Sequence, residues 1–136
     1  MIKPLYASLA FIAILSLFSC EKIVPEPEPE PTTYTVKMQL SVATSTASAK
    51  VDITVFEYNE AGEKIASNSM NEVTVGDSRT FTANSRSVKV KLHVRMYSTA
   101  TSYSKSYWVQ QVYYLEPEGN IDVIFKDDTK LGSNEP

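Results

Sequence analysis

Residues 88–97 alternate without a slip: Val88, Val90, Leu92, Val94 and Met96 take one side, and Lys89, Lys91, His93 and Arg95 take the other. Strand side chains point to opposite faces with a period of two, whereas a helix would scatter those charges around its circumference. A chain carrying this segment must build a sheet with one face buried and the other wet.

Weaker versions of the same pattern recur. Residues 34–42 set Val36, Met38, Leu40 and Val42 against Thr35, Lys37, Gln39 and Ser41, and residues 51–59 set Val51, Ile53 and Val55 against Asp52, Thr54 and Phe56. Glu60-Ala61-Gly62-Glu63 supplies a turn, with Gly62 able to take positive φ, and residues 64–69 return as a hairpin partner. Short strands are expected at residues 71–75 and at 79–83, the latter centred on Phe81. Residues 107–115 are rich in aromatic and β-branched types, Glu116-Pro117-Glu118-Gly119-Asn120 turns the chain, and Ile121, Val123 and Phe125 share one side of a closing strand. About seven short strands at regular spacing, with no helical period, predict an all-β fold. The expected architecture is an antiparallel β-sandwich, immunoglobulin-like or transthyretin-like, with a small β-barrel as the alternative. The folded part is placed at residues 34–126, and residues 127–136 are expected to fray as a flexible tail.

The opening of the chain is not part of that fold. Met1-Ile2-Lys3 leads into an apolar run over residues 5–18. A membrane-spanning helix needs about 20 apolar residues, so the run reads as a secretory signal over residues 1–19. It ends in Leu17-Phe18-Ser19-Cys20, and Cys20 is the only cysteine in the chain. Those four residues resemble the lipobox of bacterial lipoproteins, with Leu three before the cysteine and a small residue directly before it. The resemblance implies that the Cys20 thiol takes a diacylglyceryl group, that the signal is cut before it, and that the new amino terminus is acylated. Stable anchoring takes more than one acyl chain, a condition such a terminus meets. The alternative is ordinary secretory cleavage with Cys20 incidental. Either way no intramolecular disulfide can form, and the domain folds by burial alone.

Residues 21–31 read Glu-Lys-Ile-Val-Pro-Glu-Pro-Glu-Pro-Glu-Pro. Proline fixes φ, removes N–H donors and biases its neighbours to extended geometry, while the glutamates repel one another. A semi-rigid polyproline II tether over residues 20–33 follows. At about 3.1 Å per residue, residues 25–31 reach on the order of 20 Å. This stretch holds four acids and one base, whereas residues 32–136 hold 12 acids and 11 bases. The folded part is therefore nearly neutral, which speaks against nucleic acid as a partner.

Lys89, Lys91, His93 and Arg95 form a basic row along one strand face, spaced about 6–7 Å apart at a rise of about 3.3 Å per residue. Such a row suits acidic glycans or phosphate groups; it also suits a solvated face that blocks unwanted pairing. Aromatic residues cluster nearby, and alternation sends Trp108 and Tyr114 to one face and Tyr107 and Tyr113 to the other. With a single histidine and no Gly-x-Ser-x-Gly, His-Glu-x-x-His or phosphate-cradling glycine loop, no catalytic residues are assigned and the chain is not expected to be an enzyme. Asp77, Asp127 and Asp128 lack the spacing of a calcium loop, so no metal or cofactor is expected.

Lipobox, acidic tether and cysteine-free β domain together resemble the small cell-envelope lipoproteins of Bacteroidota-type bacteria. That resemblance implies attachment to the outer membrane through Cys20, on the periplasmic or the outward side. Glu21 resembles the start of an export signal and favours surface display. The expected role is a non-enzymatic binding or adhesion module for a glycan or envelope protein, with Lys89, Lys91, His93, Arg95, Tyr107 and Tyr113 as the candidate face. A structural subunit of an envelope complex is the alternative, and a hydrolase ranks third.

Overall fold

The computed structural model describes residue 22, residues 24–40 and residues 49–136. The apolar leader, Leu17-Phe18-Ser19-Cys20 and residues 41–48 lie outside the described residues. Every regular element is a strand: β1 (Thr33–Met38), β2 (Ala49–Tyr58), β3 (Lys64–Met70), β4 (Ser78–Thr82), β5 (Lys89–Ser98), β6 (Ser104–Val109), β7 (Tyr113–Tyr114), β8 (Asn120–Phe125) and β9 (Leu131–Gly132). Seven of these run five residues or more, and the two others, β7 and β9, are two-residue pieces.

They form two sheets packed as a β-sandwich. One sheet has the order β4-β1-β8, the other β3-β2-β5-β6-β9, with β7 continuing along β5. Pairing is antiparallel everywhere except between β1 and β8, where Val36 lies beside Val123 in a parallel ladder. Parallel neighbours need a long connection; here it is nearly the whole domain, since strands two to seven intervene. In the immunoglobulin constant fold the first strand pairs with the second. Here β1 pairs with β4 and β8 while β2 sits in the opposite layer, so the strand order is not that of the immunoglobulin constant fold.

Alternation explains the core. Tyr34, Val36 and Met38 from β1 and Val123 and Phe125 from β8 face Val51, Ile53 and Val55 from β2 and Val90, Leu92 and Val94 from β5, all within one buried cluster. Each fully buried side chain of this size contributes about 1.5–3 kcal/mol by leaving water. The β2–β3 hairpin turns at Gly62, whose φ of 80° requires a residue without Cβ strain, as the sequence suggested.

Residue 57 interrupts the apolar series. Glu57 is in phase with Val51, Ile53 and Val55 and is only 1% exposed. Its carboxylate accepts from Tyr34 Oη at 2.9 Å and Asn68 Nδ2 at 3.1 Å on one oxygen, and from the Asn84 backbone N at 2.8 Å and Ser87 Oγ at 2.6 Å on the other. Four donors from β1, β3 and the β4–β5 loop thus close one end of the sandwich around a buried charge. That satisfies the rule that such a charge must be fully hydrogen-bonded.

Three expectations are corrected. Residues 71–75 hold no strand, and the chain turns at residues 74–77: Asp77 accepts from Thr74 N at 2.8 Å and from Thr74 Oγ1 at 3.1 Å, and this local side-chain bonding outcompetes a ladder. The strand expected at residues 107–115 starts earlier, at Ser104, and breaks in two. Residues 109–112 on that side face only residues 91–92 of β5, a bulge that leaves the alternation of Trp108 and Tyr113 intact. Residues 127–136 do not fray. Leu131 pairs with Val109 and Gly132 with Trp108, and a Cβ at Gly132 would collide with the Gln110 side chain.

Candidate functional site

The outward face of the larger sheet carries the basic row. Register places Tyr58 beside Lys89, Phe56 beside Lys91, Thr54 beside His93 and Asp52 beside Arg95 on the β2 side. On the other side Trp108 lies beside His93, and Tyr114 lies beside Lys89. Lys89, Lys91, His93 and Arg95 therefore share one face, as alternation required. Tyr107 and Tyr113 do not join them. They stand in register with Val94 and Val90 on the inner side of the sheet, and the Tyr113 hydroxyl donates to the Ile124 carbonyl at 3.1 Å while its ring packs on the core. The aromatic partners of the basic row are instead Phe56, Tyr58, Trp108 and Tyr114.

These rings and cations form a compact cluster. Phe56 and Trp108 have centroids 5.5 Å apart, and His93 meets Trp108 edge-on at 5.0 Å. The Lys64 ammonium sits 4.0 Å from the Phe56 centroid and 5.5 Å from that of Trp108. Lys91 lies 4.5 Å from the Tyr58 ring, and Arg95 lies 4.6 Å from that of Tyr97. Aromatic faces attract cations through the ring quadrupole, which draws these positive groups towards the rings. Phe56, Tyr58 and Lys64 carry no motif in the sequence. Tyr58 and Lys64 meet only because the β2–β3 register shifts between Glu57 and Tyr58.

Electrostatics follow from this crowding. Burial, reinforced by the Lys64 charge, pushes the His93 imidazole below its ordinary 6.5, so the ring is neutral at pH 7. Burial, with Lys89 and Lys64 adding like-charge repulsion, pulls the Lys91 ammonium below its usual range. Only 12% of the Lys91 side chain is exposed, so its charge needs a partner close at hand.

The last four residues of the sequence provide it. Beyond β9 the chain crosses this face. Gln110 Nε2 donates to the Asn134 carbonyl at 3.1 Å, Tyr58 Oη donates to Glu135, and Lys91 Nζ lies 3.7 Å from the Glu135 carboxylate and donates to the Pro136 carbonyl. The ring neighbours of His93 are Phe56 and Trp108. The arrangement can hold an anion between ammonium groups and an apolar or sugar ring on Trp108 and Phe56. No family model matches the chain, and no curated protein or solved structure matches it.

Proposed function

We propose that this chain is a lipid-anchored lipoprotein of the bacterial cell envelope whose β-sandwich binds an acidic ligand, a glycan or an envelope protein, through the outward face of β2, β5 and β6. The observation that carries the reading is the convergence of Lys64, Lys89, Lys91 and Arg95 with Phe56, Tyr58 and Trp108 on one sheet face. Phe56 and Trp108 flank His93 at the centre of that face, and both rings are only half-buried. An anion-binding platform needs both parts, since the rings supply contact area and the ammonium groups supply charge.

Anchorage at Cys20 is supported by Leu17-Phe18-Ser19-Cys20 and by the exposed tether, residues 24–31, that follows it. A platform raised from the membrane on a stiff spacer suits capture of ligands outside the headgroup layer, and display at the outer surface is the favoured side. Binding to envelope and host glycans and to envelope protein extracts tests the reading. Replacing Lys89, Lys91 and Arg95 by Ala is expected to weaken retention by about tenfold or more, with strong salt dependence. Unchanged retention removes this face from consideration. Protease access to the domain on intact cells, with and without permeabilisation, tests the side of display. Mass spectrometry of the mature amino terminus tests acylation, and an unmodified terminus cut elsewhere would overturn the anchor.

A further inference from the structure

What occupies the basic corner of this face in the structure is a Glu-Pro dipeptide. Glu135 reaches Tyr58 and Lys91 with its carboxylate, and the carbonyl of Pro136 accepts from Lys91. The same dipeptide occurs three times in the tether, as Glu26-Pro27, Glu28-Pro29 and Glu30-Pro31. Glu135-Pro136 shares with those units a side-chain carboxylate followed by a proline that restricts the chain to an extended form, and the Glu135 carboxylate is the part of the contact that a tether unit can reproduce. The seated Glu135 remains 37% exposed on its side chain, so it covers Lys91 without being locked in place.

The tether of the same chain runs exposed over residues 24–31. Pro29, Glu30 and Pro31 line a cleft with Ala83, Asn84, Ser85, Ser87, Pro117 and Glu118, and the chain then enters β1, in the opposite layer from the basic face. Thr32 fastens that entry by accepting from the Glu118 backbone N at 3.2 Å.

We infer that the corner formed by Tyr58, Lys64 and Lys91 is a recognition site for Glu-Pro units, held in the isolated chain by Glu135-Pro136 and open, once that segment lifts, to the Glu-Pro repeat of a second copy's tether. The inference rests on the reading of this face as a binding platform and names its ligand. Charge complementarity sets the match, because the site is cationic and the tether is the most acidic stretch of the chain. Three tandem units raise the chance of rebinding, and copies anchored in one membrane present tethers to each other at high effective concentration. The closing segment then acts as a competitor that keeps the site shut when copies are sparse.

The experiment uses the full chain in non-ionic detergent and a capped peptide, Pro-Glu-Pro-Glu-Pro-Glu-Pro. Trp108, the only tryptophan, reports from within the cluster. In Glu135→Ala the peptide is expected to change Trp108 emission saturably, with an apparent affinity about five- to tenfold tighter than in the parent chain. That is the factor set by a site open about a tenth to a fifth of the time. Binding should weaken with salt, disappear in Lys91→Met, and be absent for a peptide with Gln in place of Glu. Carbodiimide cross-linking of mixed light and heavy copies of Glu135→Ala should join Lys64 or Lys91 of one copy to Glu26, Glu28 or Glu30 of another. A folded Glu135→Ala chain that ignores the peptide, or binds the Gln peptide equally well, overturns the inference. Peptide binding without links between copies overturns the second copy as occupant. Failure here together with retained Lys91-dependent binding of a glycan or envelope protein leaves the platform reading standing.

Discussion

Removing the buried Glu57 carboxylate is the perturbation whose cost follows most directly from the structure. Glu57→Ala deletes four hydrogen bonds at 2.6–3.1 Å and leaves their donors behind. Three recover in part: Asn68 Nδ2 already donates to Tyr34 Oη at 2.6 Å, Ser87 is only half-buried, and Asn84 is exposed, so both of the latter can turn to water. The fully buried Tyr34 O–H has no such outlet. An unsatisfied buried donor costs about 1–3 kcal/mol, and the weakened bonds of the other three add to it. Loss of the carboxylate also removes its desolvation penalty, which offsets part of that sum. The net expectation is a destabilisation of about 2 kcal/mol, out of the 5–15 kcal/mol typical of a small domain. Glu57→Gln is not conservative here. Whichever way the amide is placed, an NH2 group replaces an acceptor that serves two donors, and about 1–3 kcal/mol is lost. Urea unfolding followed by circular dichroism and by Trp108 emission measures both, with an unchanged m-value expected. In heat, about 2 kcal/mol corresponds to a fall in Tm of about 8–16 °C for a domain of this size. If both substitutions stay within about 0.5 kcal/mol of the parent, the four-donor clamp does not hold the sandwich end and the reasoning fails.

Two further outcomes concern pH. Burial first, and then the neighbouring Glu57, raises the Tyr34 hydroxyl above its ordinary 10.0. The unfolded chain therefore loses this proton first as pH rises, so the stability is complete below about pH 10 and declines above it by about 1.4 kcal/mol per pH unit. In Tyr34→Phe that alkaline slope should be shallower by one proton; an equal slope in both chains would refute it. His93 shifts the other way, and its neutral form is the folded one. Its contribution is complete above about pH 6.5 and is lost as pH falls through the depressed folded value. A resonance titration of His93 should give a midpoint below 6.5, raised in Lys64→Met, where one cause of the shift is gone; a midpoint at or above 6.5 in the parent chain contradicts the clustered geometry.

The strands were legible wherever one face is buried and the other wet. Residues 88–97 and 51–59 alternate because water lies on one side of the larger sheet, and the structure returns them as β5 and β2 with that alternation intact over residues 89–94 and 51–57. The Gly62 turn was legible for a local reason, since positive φ singles out glycine. The break after Val109 was not, because a two-residue bulge leaves the face pattern unchanged and so leaves no trace in periodicity. The docking of residues 131–136 was hidden as well. A segment with Gly132 and a few polar residues has no period of its own and is ordered only by the strand and cations it meets.

The candidate face shows the same division. Its basic row lies on one strand, where alternation alone assigns sides. Its aromatic half comes from β2 and β6, and pairing decides which ring meets which cation. Tyr113 and Trp108 are equally aromatic, yet Tyr113 has its ring on the core and its hydroxyl on Ile124, while Trp108 lies against His93.

By itself the sequence determined the class of fold, the sidedness of the long strands, the acidic Pro-Glu alternation of residues 25–31 and the single cysteine ahead of it. All of these follow from the chemistry of residues close together in the chain. Tertiary structure alone decided the parallel pairing of β1 with β8, the burial of Glu57 within a ring of donors, and the meeting of Glu135-Pro136 with Lys91. Each of these joins residues far apart in sequence, and their partners exist only once the two sheets have closed on a common core.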